Sequence, residues 1–218
     1  MNKFLYLLSL KKKNVILGKK TVVSKNNIFE GDNKIDSFSK ISNCYFGRYS
    51  YIGENCDFRE VKIGKYCSLG ARITCVLGQH PTNFVSTHPF CYQKGTILKS
   101  DVEYTSAMEL DDKIQKFGGY KILIKNDVWI GNNVTIFSGV TIHNGAIVGT
   151  GAVVNKDIPA YAIAVGVPAR VIKYRFSEKE IEFLEKFKWW DKDIKWIEEN
   201  INLFSDINSF IKVYDNNL

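Results

Sequence analysis

The sequence predicts an all-β fold: a parallel β-helix interrupted by one long loop and followed by a helical appendage. Three observations predict it. In "ILIKNDVWIGNNVTIFSGVTIHNGAIVGTGAVVNKDIP" aliphatic residues recur every six positions, at Ile124, Ile130, Ile136, Ile142, Val148 and Val154. A second set, Val128, Val134, Val140, Ala146 and Ala152, runs in step four residues later. The same period returns upstream at Leu17, Val23, Phe29, Ile35 and Ile41, then at Phe46, Ile52 and Phe58, then at Ile63, Leu69 and Cys75, with a one-residue slip between runs. A period of six matches neither a helix of about 3.6 residues per turn nor plain strand alternation, but it suits short strands separated by regular corners. A unit that short cannot bury its own apolar side chain, so the units must stack into one continuous core.

Each element follows in chain order. The opening "MNKFLYLLSLKKK" has its basic cluster after the apolar run and no small-residue cleavage site, contrary to a signal peptide. It reads as a short packing or amphipathic segment, with a peripheral membrane contact left open. In both sets of repeats the residue after the aliphatic is often glycine, as at Gly18, Gly47, Gly53, Gly64, Gly70, Gly131 and Gly149, where a tight corner would reward a missing Cβ. Cys56 and Cys67 fall on the small second set and read as packing residues. Between Cys75 and Ile124 the period vanishes, and a loop that long in a compact domain is usually functional. It opens with "GQHPTNFVSTHPF", which holds two of the three histidines, His80 and His88, and later carries Asp101, Glu103, Glu109, Asp111 and Asp112, read as solvated surface or subunit contact. After the downstream repeats, "NKDIPAYAIAVGVPARVIKYR" closes the β-helix. From Ser177 the pattern turns helical: Ser177 and Glu180 form a capping box, and Ile181, Leu184 and Phe187 follow at helical spacing. Further helices are expected to start near Asp191 or Asp193 and near Asp206.

Composition bounds the function. The chain of 218 residues is 45% apolar, which excludes disorder, and has no apolar run of the roughly 20 residues that a membrane-spanning helix needs. Thirty basic against 23 acidic side chains give +7 without a long basic run or a nucleic-acid motif. No nucleic-acid partner and no integral membrane segment are expected, only a general preference for anionic small molecules or surfaces. Five cysteines without CxxC pairing argue against a disulfide framework or zinc knuckle and for a reducing, cytoplasmic location.

The segment "IKNDVWIGNNVTIFSGVTIHNGAIVGTGAVVNKDIPAYAIAVGVPARVIK" and the loop motif of His80 followed by "STHPF" resemble the hexapeptide-repeat acyltransferases. The resemblance is greatest to their xenobiotic and antibiotic acetyltransferase branch, and in the loop to bacterial sugar and polysaccharide O-acetyltransferases. Antibiotic-modifying members usually carry tyrosine where His88 stands. The resemblance implies a left-handed parallel β-helix over residues 1–176, the acyltransferase domain, with its insertion at about 77–122, and a C-terminal helical appendage over 177–218. It also implies acetyl-coenzyme A as co-substrate, direct transfer through a ternary complex, and a homotrimer whose sites lie between subunits. His80 is then the catalytic residue. Asn83, Ser86, Thr87 and His88 are candidates for acceptor contact, His88 reading more simply as a residue that shapes the pocket. Candidates for coenzyme A are Trp129, Gly139, Thr150 and Gly151, with Lys156, Arg170 and Lys173 facing its phosphates, since lysine and arginine are the side chains that phosphates favour.

Chemistry supports a histidine in this place. A sugar hydroxyl is a poor nucleophile toward a thioester near pH 7 unless a base removes its proton, and imidazole, with an ordinary pKa of about 6.5, is best matched to do so. The expected function is therefore O-acetylation of a sugar, glycan or glycan precursor. Alternatives on the same fold are acetylation of a xenobiotic alcohol or of an amine on a nucleotide-linked sugar. Remoter ones are a zinc lyase of the gamma carbonic anhydrase kind, which His80, His88 and His143 do not match in pattern, and a non-catalytic scaffold. No metal is expected, and His143 reads as a surface-corner residue.

Overall fold

The computed structural model describes residues 3–78, 80–91 and 118–214. They form a parallel β-solenoid of about seven turns, followed by short helices. Strands of two to three residues succeed one another around a three-sided prism, and every third strand pairs in parallel with the one a coil away. The first face runs from Ile16–Leu17 through Tyr51–Ile52 and Trp129–Ile130 to Ala162–Val165, and ends in an antiparallel strand, Arg170–Tyr174. The second runs from Val22–Val23 through Thr74–Val76 and Thr135–Phe137 to Val153–Val154, and the third from Ile28–Phe29 to Thr141–Ile142. The six-residue aliphatics point inward. Ile124, Ile130, Ile136, Ile142, Val148 and Val154 are each at most 1% exposed, and Phe29, Ile35, Phe46, Ile52, Phe58, Ile63 and Leu69 are equally buried. Leu17 and Val23, on the first coil, are only partly covered.

The corners explain the one-residue slips. Each coil turns through residues with positive φ, which stack in columns. In one column Asp32, Tyr49, Tyr66 and Asp127 hold φ between +54° and +64°, and their N–H groups donate to carbonyls of the preceding coil, as from Asp32 to Lys13 and from Asp127 to Lys65 at 2.9 Å. A non-glycine residue in this region costs about 1 kcal/mol, repaid here by satisfied backbone groups. At the corner between the second and third faces, Asn43 and Glu60 make the turn with one residue fewer. Coils there span seventeen residues, Ile35 pairing with Ile52, whereas Ile130 pairs with Val148, eighteen on. The long loop departs at this same corner. Cys75 pairs with Ile136 and Ile63 with Ile124, so the strands on either side of the loop keep their places in the stack.

The glycines that follow the aliphatics owe their identity to something other than the corner conformation expected of them. None of Gly18, Gly47, Gly53, Gly64, Gly70, Gly131 and Gly149 has positive φ; the left-handed position falls two residues later, on residues such as Tyr49 and Tyr66. What excludes a side chain is the neighbouring coil: a Cβ on Gly47 would lie 2.4 Å from the carbonyl carbon of Gly64, and one on Gly131 2.6 Å from the backbone nitrogen of Thr150.

Both ends of the solenoid are capped. Helix α1, Lys3–Lys12, lays Tyr6 and Leu10 on the first coil, and the Tyr6 hydroxyl donates to the Asn27 carbonyl at 3.1 Å. Burial pushes the Tyr6 phenol up to about 12. At the other end, helix α2, Glu178–Phe187, begins where expected: the Ser177 N–H and hydroxyl both donate to the Glu180 carboxylate, at 2.7 and 2.6 Å. Helix α3, Ile194–Glu199, is capped by Asp193, which accepts from the Trp196 N–H at 2.9 Å, and α4, Ile207–Tyr214, by Asp206, which accepts from Ser209. Phe183, Leu184 and Phe210 close with Tyr161 into a second small core. The Tyr161 hydroxyl is buried there, burial raises its pKa, and among the described residues no group bonds to it. Tyr161→Phe is therefore expected to leave stability unchanged or raise it by about 1 kcal/mol, since it removes an unpaired buried polar group. A loss of more than that in denaturant titration would mean that the hydroxyl has a partner in solution.

Candidate active site

The loop leaves the second face at Val76, and hydrogen bonds among residues 80–91 hold the histidines in place. His80 is exposed, and its Nδ1 lies 2.7 Å from the Thr87 carbonyl oxygen. A carbonyl only accepts, so Nδ1 carries the hydrogen and the ring's lone pair is on Nε2. His88 has the opposite tautomer: its Nδ1 accepts from the Phe90 N–H at 3.2 Å, while its backbone N–H donates to the Ser86 hydroxyl at 3.1 Å. The Cys91 thiol braces the same turn by donating to the carbonyls of Ser86 and His88, at 3.1 and 2.9 Å. The two histidines are thus held in different ways, one with Nδ1 bonded to a carbonyl and its lone pair on Nε2, the other with Nδ1 accepting within the turn of residues 86–91. Asn83 and Ser86 line a shallow, mostly apolar depression with Phe84, Val85, Phe90 and Cys91.

The other candidates fall on definite edges of the prism. Gly139, with φ +79°, turns the corner one coil past the loop. Its N–H donates to the Lys121 carbonyl at 2.7 Å, and the Ser138 N–H donates to Val76 at 2.8 Å, so this corner clasps both ends of the excursion. Lys156, exposed, lies on the same edge one coil further, beside Asp157, whose carboxylate accepts from the Thr141 N–H at 2.7 Å. Thr150 and Gly151 lie on a different edge, between the first and second faces. Gly151 has φ +75° and open space where a Cβ would be. Arg170 follows the turn at Gly166–Pro168 that packs under that edge, its neighbour Ala169 donating to the Val153 carbonyl at 2.8 Å, and Lys173 lies in the closing strand. Trp129 is 56% exposed on the first face, which does not border the loop's edge. Trp129 and the edge from which the loop departs are therefore not neighbours within one protomer. Gly139 and Lys156 share the edge from which the His80 loop departs, and Thr150, Gly151 and the Arg170 turn share another, with the second face between them.

Sequence reasoning named Thr87 a candidate for acceptor contact and missed that its carbonyl bonds to His80; a backbone oxygen leaves no signal in a residue's identity. The acidic residues Asp101, Glu103, Glu109, Asp111 and Asp112 lie outside the described residues. Cys44, Cys56, Cys67 and Cys75 are buried, and burial pushes the thiols of Cys44 and Cys67 up to about 12, so these four are packing residues and not nucleophiles. His143 is half-buried at a coil corner, and burial first, then Lys125, lowers its pKa. Among the described residues no cluster of three or more His, Cys, Asp or Glu could hold a metal ion, and no helix is long and apolar enough to cross a membrane.

No family profile matches the chain. Individual proteins do. A chloramphenicol acetyltransferase of Morganella morganii is 32% identical over 187 residues, covering 81% of this chain and 84% of its own. One of Klebsiella aerogenes is 30% identical, covering 80% and 83%, and a probable macrolide acetyltransferase of Lysinibacillus sphaericus is 32% identical, covering 72% and 81%. Solved structures share the fold at lower identity. A GDP-perosamine N-acetyltransferase from Caulobacter crescentus superposes with TM-score 0.51 at 18% identity, over 79% of this chain and 65% of that one. AntD, an N-acyltransferase from Bacillus cereus, does so with TM-score 0.50 at 21% identity, over 84% and 95%. A stacked six-residue repeat, one loop departing from one corner with an oriented histidine, and relatives at this identity over most of both chains lead to one conclusion: the chain belongs to the hexapeptide-repeat acyltransferases, in the branch of the chloramphenicol and macrolide acetyltransferases.

Proposed function

We propose that this protein transfers the acetyl group of acetyl-coenzyme A to a hydroxyl of a sugar, glycan or glycan precursor, with His80 as the general base. The observation that carries the reading is the short bond from His80 Nδ1–H to the Thr87 carbonyl, which leaves the lone pair of the neutral ring on Nε2. In the reaction, Nε2 takes the acceptor's hydroxyl proton as the oxygen bonds to the thioester carbonyl carbon. The resulting tetrahedral species collapses by breaking the C–S bond, and the imidazolium returns the proton to the departing thiolate. The Thr87 carbonyl also stabilises the positive ring that forms midway, because Nδ1–H becomes more acidic there. No acyl-enzyme is needed, in keeping with four cysteines buried in the core.

The donor's anionic end is assigned to Lys156, Arg170 and Lys173, all exposed, and its pantetheine arm to Trp129 and to the backbone at Gly139, Thr150 and Gly151. These groups occupy two edges and the first face of one prism. A face is about five extended residues wide, roughly 16 Å at 3.3 Å per residue. A site completed between neighbouring copies of a homotrimer, one giving the His80 edge and the next the Gly151 edge, accounts for that separation.

A second reading, O-acetylation of an antibiotic, is favoured by the names of the relatives at 30–32% identity. His88 weighs against it: its imidazole is spent on the Phe90 N–H and on shaping the turn, where antibiotic-modifying members present a tyrosine hydroxyl. The test is to incubate the protein with acetyl-coenzyme A and a panel of oligosaccharides, nucleotide sugars, chloramphenicol and macrolides, and to follow acetylation by mass spectrometry. Turnover of glycan hydroxyls is the expected result. Efficient acetylation of chloramphenicol or a macrolide with none of the glycans would replace this reading by the second.

A further inference from the structure

The positive charge of this chain is not spread along it. Residues 1–29 hold seven lysines, among them Lys11, Lys12, Lys19 and Lys25, and no Asp or Glu; the remainder holds 23 basic and 23 acidic side chains. The whole net charge of +7 therefore resides on α1 and the first coil. Among the described residues Lys11, Lys12, Lys19 and Lys25 are exposed and form no ion pair, whereas the ion pairs further along the chain join Arg48 to Asp32, Lys65 to Asp191 and Arg175 to Asp127.

The same end of the molecule exposes aliphatic side chains. Helix α1 is apolar on two sides. Tyr6 and Leu10 seal the solenoid, and the opposite side presents Leu5, Leu7 and Leu8 at 55%, 38% and 42% exposure. Leu5 and Leu8, one turn apart, flank a shallow groove with Ser9, Lys11 and Lys12. Behind the helix, Ile16, Val22 and Ile28 stand out from the three faces of the first coil, each more than half exposed. A leucine stripe whose flanks carry uncompensated lysines suits an interface with both an acyl boundary and anionic headgroups. A second copy is the wrong occupant, because it would bring the same concentrated positive charge against this one. Nucleic acid is also a poor fit, since protruding leucines gain nothing against phosphates.

We propose that the N-terminal end of the β-helix docks on an anionic membrane surface, with Leu5 and Leu8 entering the headgroup boundary and the lysines lying against lipid phosphates. The docking is reversible and peripheral, because one ten-residue helix buries too little apolar surface to anchor permanently. It does not depend on which acceptor the enzyme uses.

The experiment is co-sedimentation of the full chain with vesicles of phosphatidylcholine alone and of phosphatidylcholine mixed with phosphatidylglycerol. Binding to the mixed vesicles alone is expected, with release at about 1 M salt, where the screening length falls to about 3 Å. Lys11→Gln with Lys12→Gln is expected to weaken binding about thirtyfold, each lysine near the surface being worth about a fivefold factor. Leu5→Gln with Leu8→Gln is expected to release the protein from vesicles with its melting temperature and its acetylation of a soluble acceptor unchanged. Failure to bind phosphatidylglycerol at low salt, or undiminished binding by either double variant, overturns the proposal. So does tighter binding to duplex DNA than to vesicles, or an oligomer that the leucine variant splits without any vesicle binding by the parent.

Discussion

His80→Ala and His80→Asn are expected to slow acetyl transfer by about 10²- to 10⁴-fold while coenzyme A affinity and the assembly state stay as in the parent, the range that loss of a positioned general base produces. The argument rests on geometry. The ring nitrogen that must be protonated is pinned to the Thr87 carbonyl at 2.7 Å, so the nitrogen with the lone pair is defined and its direction set by the loop. Asparagine at this position retains a donor for Thr87 but has no group that takes a proton near neutral pH, which makes it the sharper of the two variants. The measurement is a single-turnover rate at saturating acetyl-coenzyme A, with donor binding followed separately by calorimetry. Full turnover by His80→Asn would remove the histidine from the mechanism. A selective loss with hydroxyl acceptors and not with amines would show that the base serves the weaker nucleophile.

Gly47→Ala is expected to destabilise the protein by about 3 kcal/mol, a fall in Tm of roughly 10 °C for a chain of this size. The added Cβ would come within 2.4 Å of the Gly64 carbonyl carbon and 2.7 Å of the Lys65 nitrogen. These are backbone atoms, and the coil cannot move aside, because the Gly47 N–H donates to Ile63 and the Gly64 N–H to Ile124, each at 2.8 Å. Gly151→Ala is the control. Its Cβ meets open space, so its cost is the left-handed backbone alone, about 1 kcal/mol. Thermal unfolding of the two variants side by side separates crowding between coils from conformational strain, and equal losses would refute the assignment of Gly47 to crowding.

That pair also marks where sequence reasoning reached and where it stopped. The inward positions were legible residue by residue because a stack of short strands has one place for a large aliphatic in each six, and Ile130 or Val148 could stand nowhere else. The slips at Phe46 and Ile63 were visible as counts, but their cause, a corner turned by Asn43 or Glu60 with one residue fewer, belongs to the third dimension. The glycines were noticed for the wrong reason. The turn conformation is borne by Tyr49, Tyr66 and their like, which no propensity rule would select, while Gly47 and Gly131 answer to the coil beside them. At the candidate site, the motif and the chemistry it implies singled out His80, whose role as base is proposed above. Thr87's carbonyl was not, since every residue has one. The caps at Ser177, Asp193 and Asp206 were legible because capping is local chemistry, decided within a few residues of the helix end.

The strands on either side of the excursion, Thr74–Val76 and Ile122–Ile124, are each hydrogen-bonded to coils on both sides, so the scaffold registers only where the chain departs and where it rejoins. Doubling the length of such a detour costs about 0.6 kcal/mol in closure entropy, less than the loss of a single well-packed methylene from the core. Under the proposed function, acceptor preference then lies on a segment that can be lengthened or exchanged while the spiral that carries it goes on folding as before.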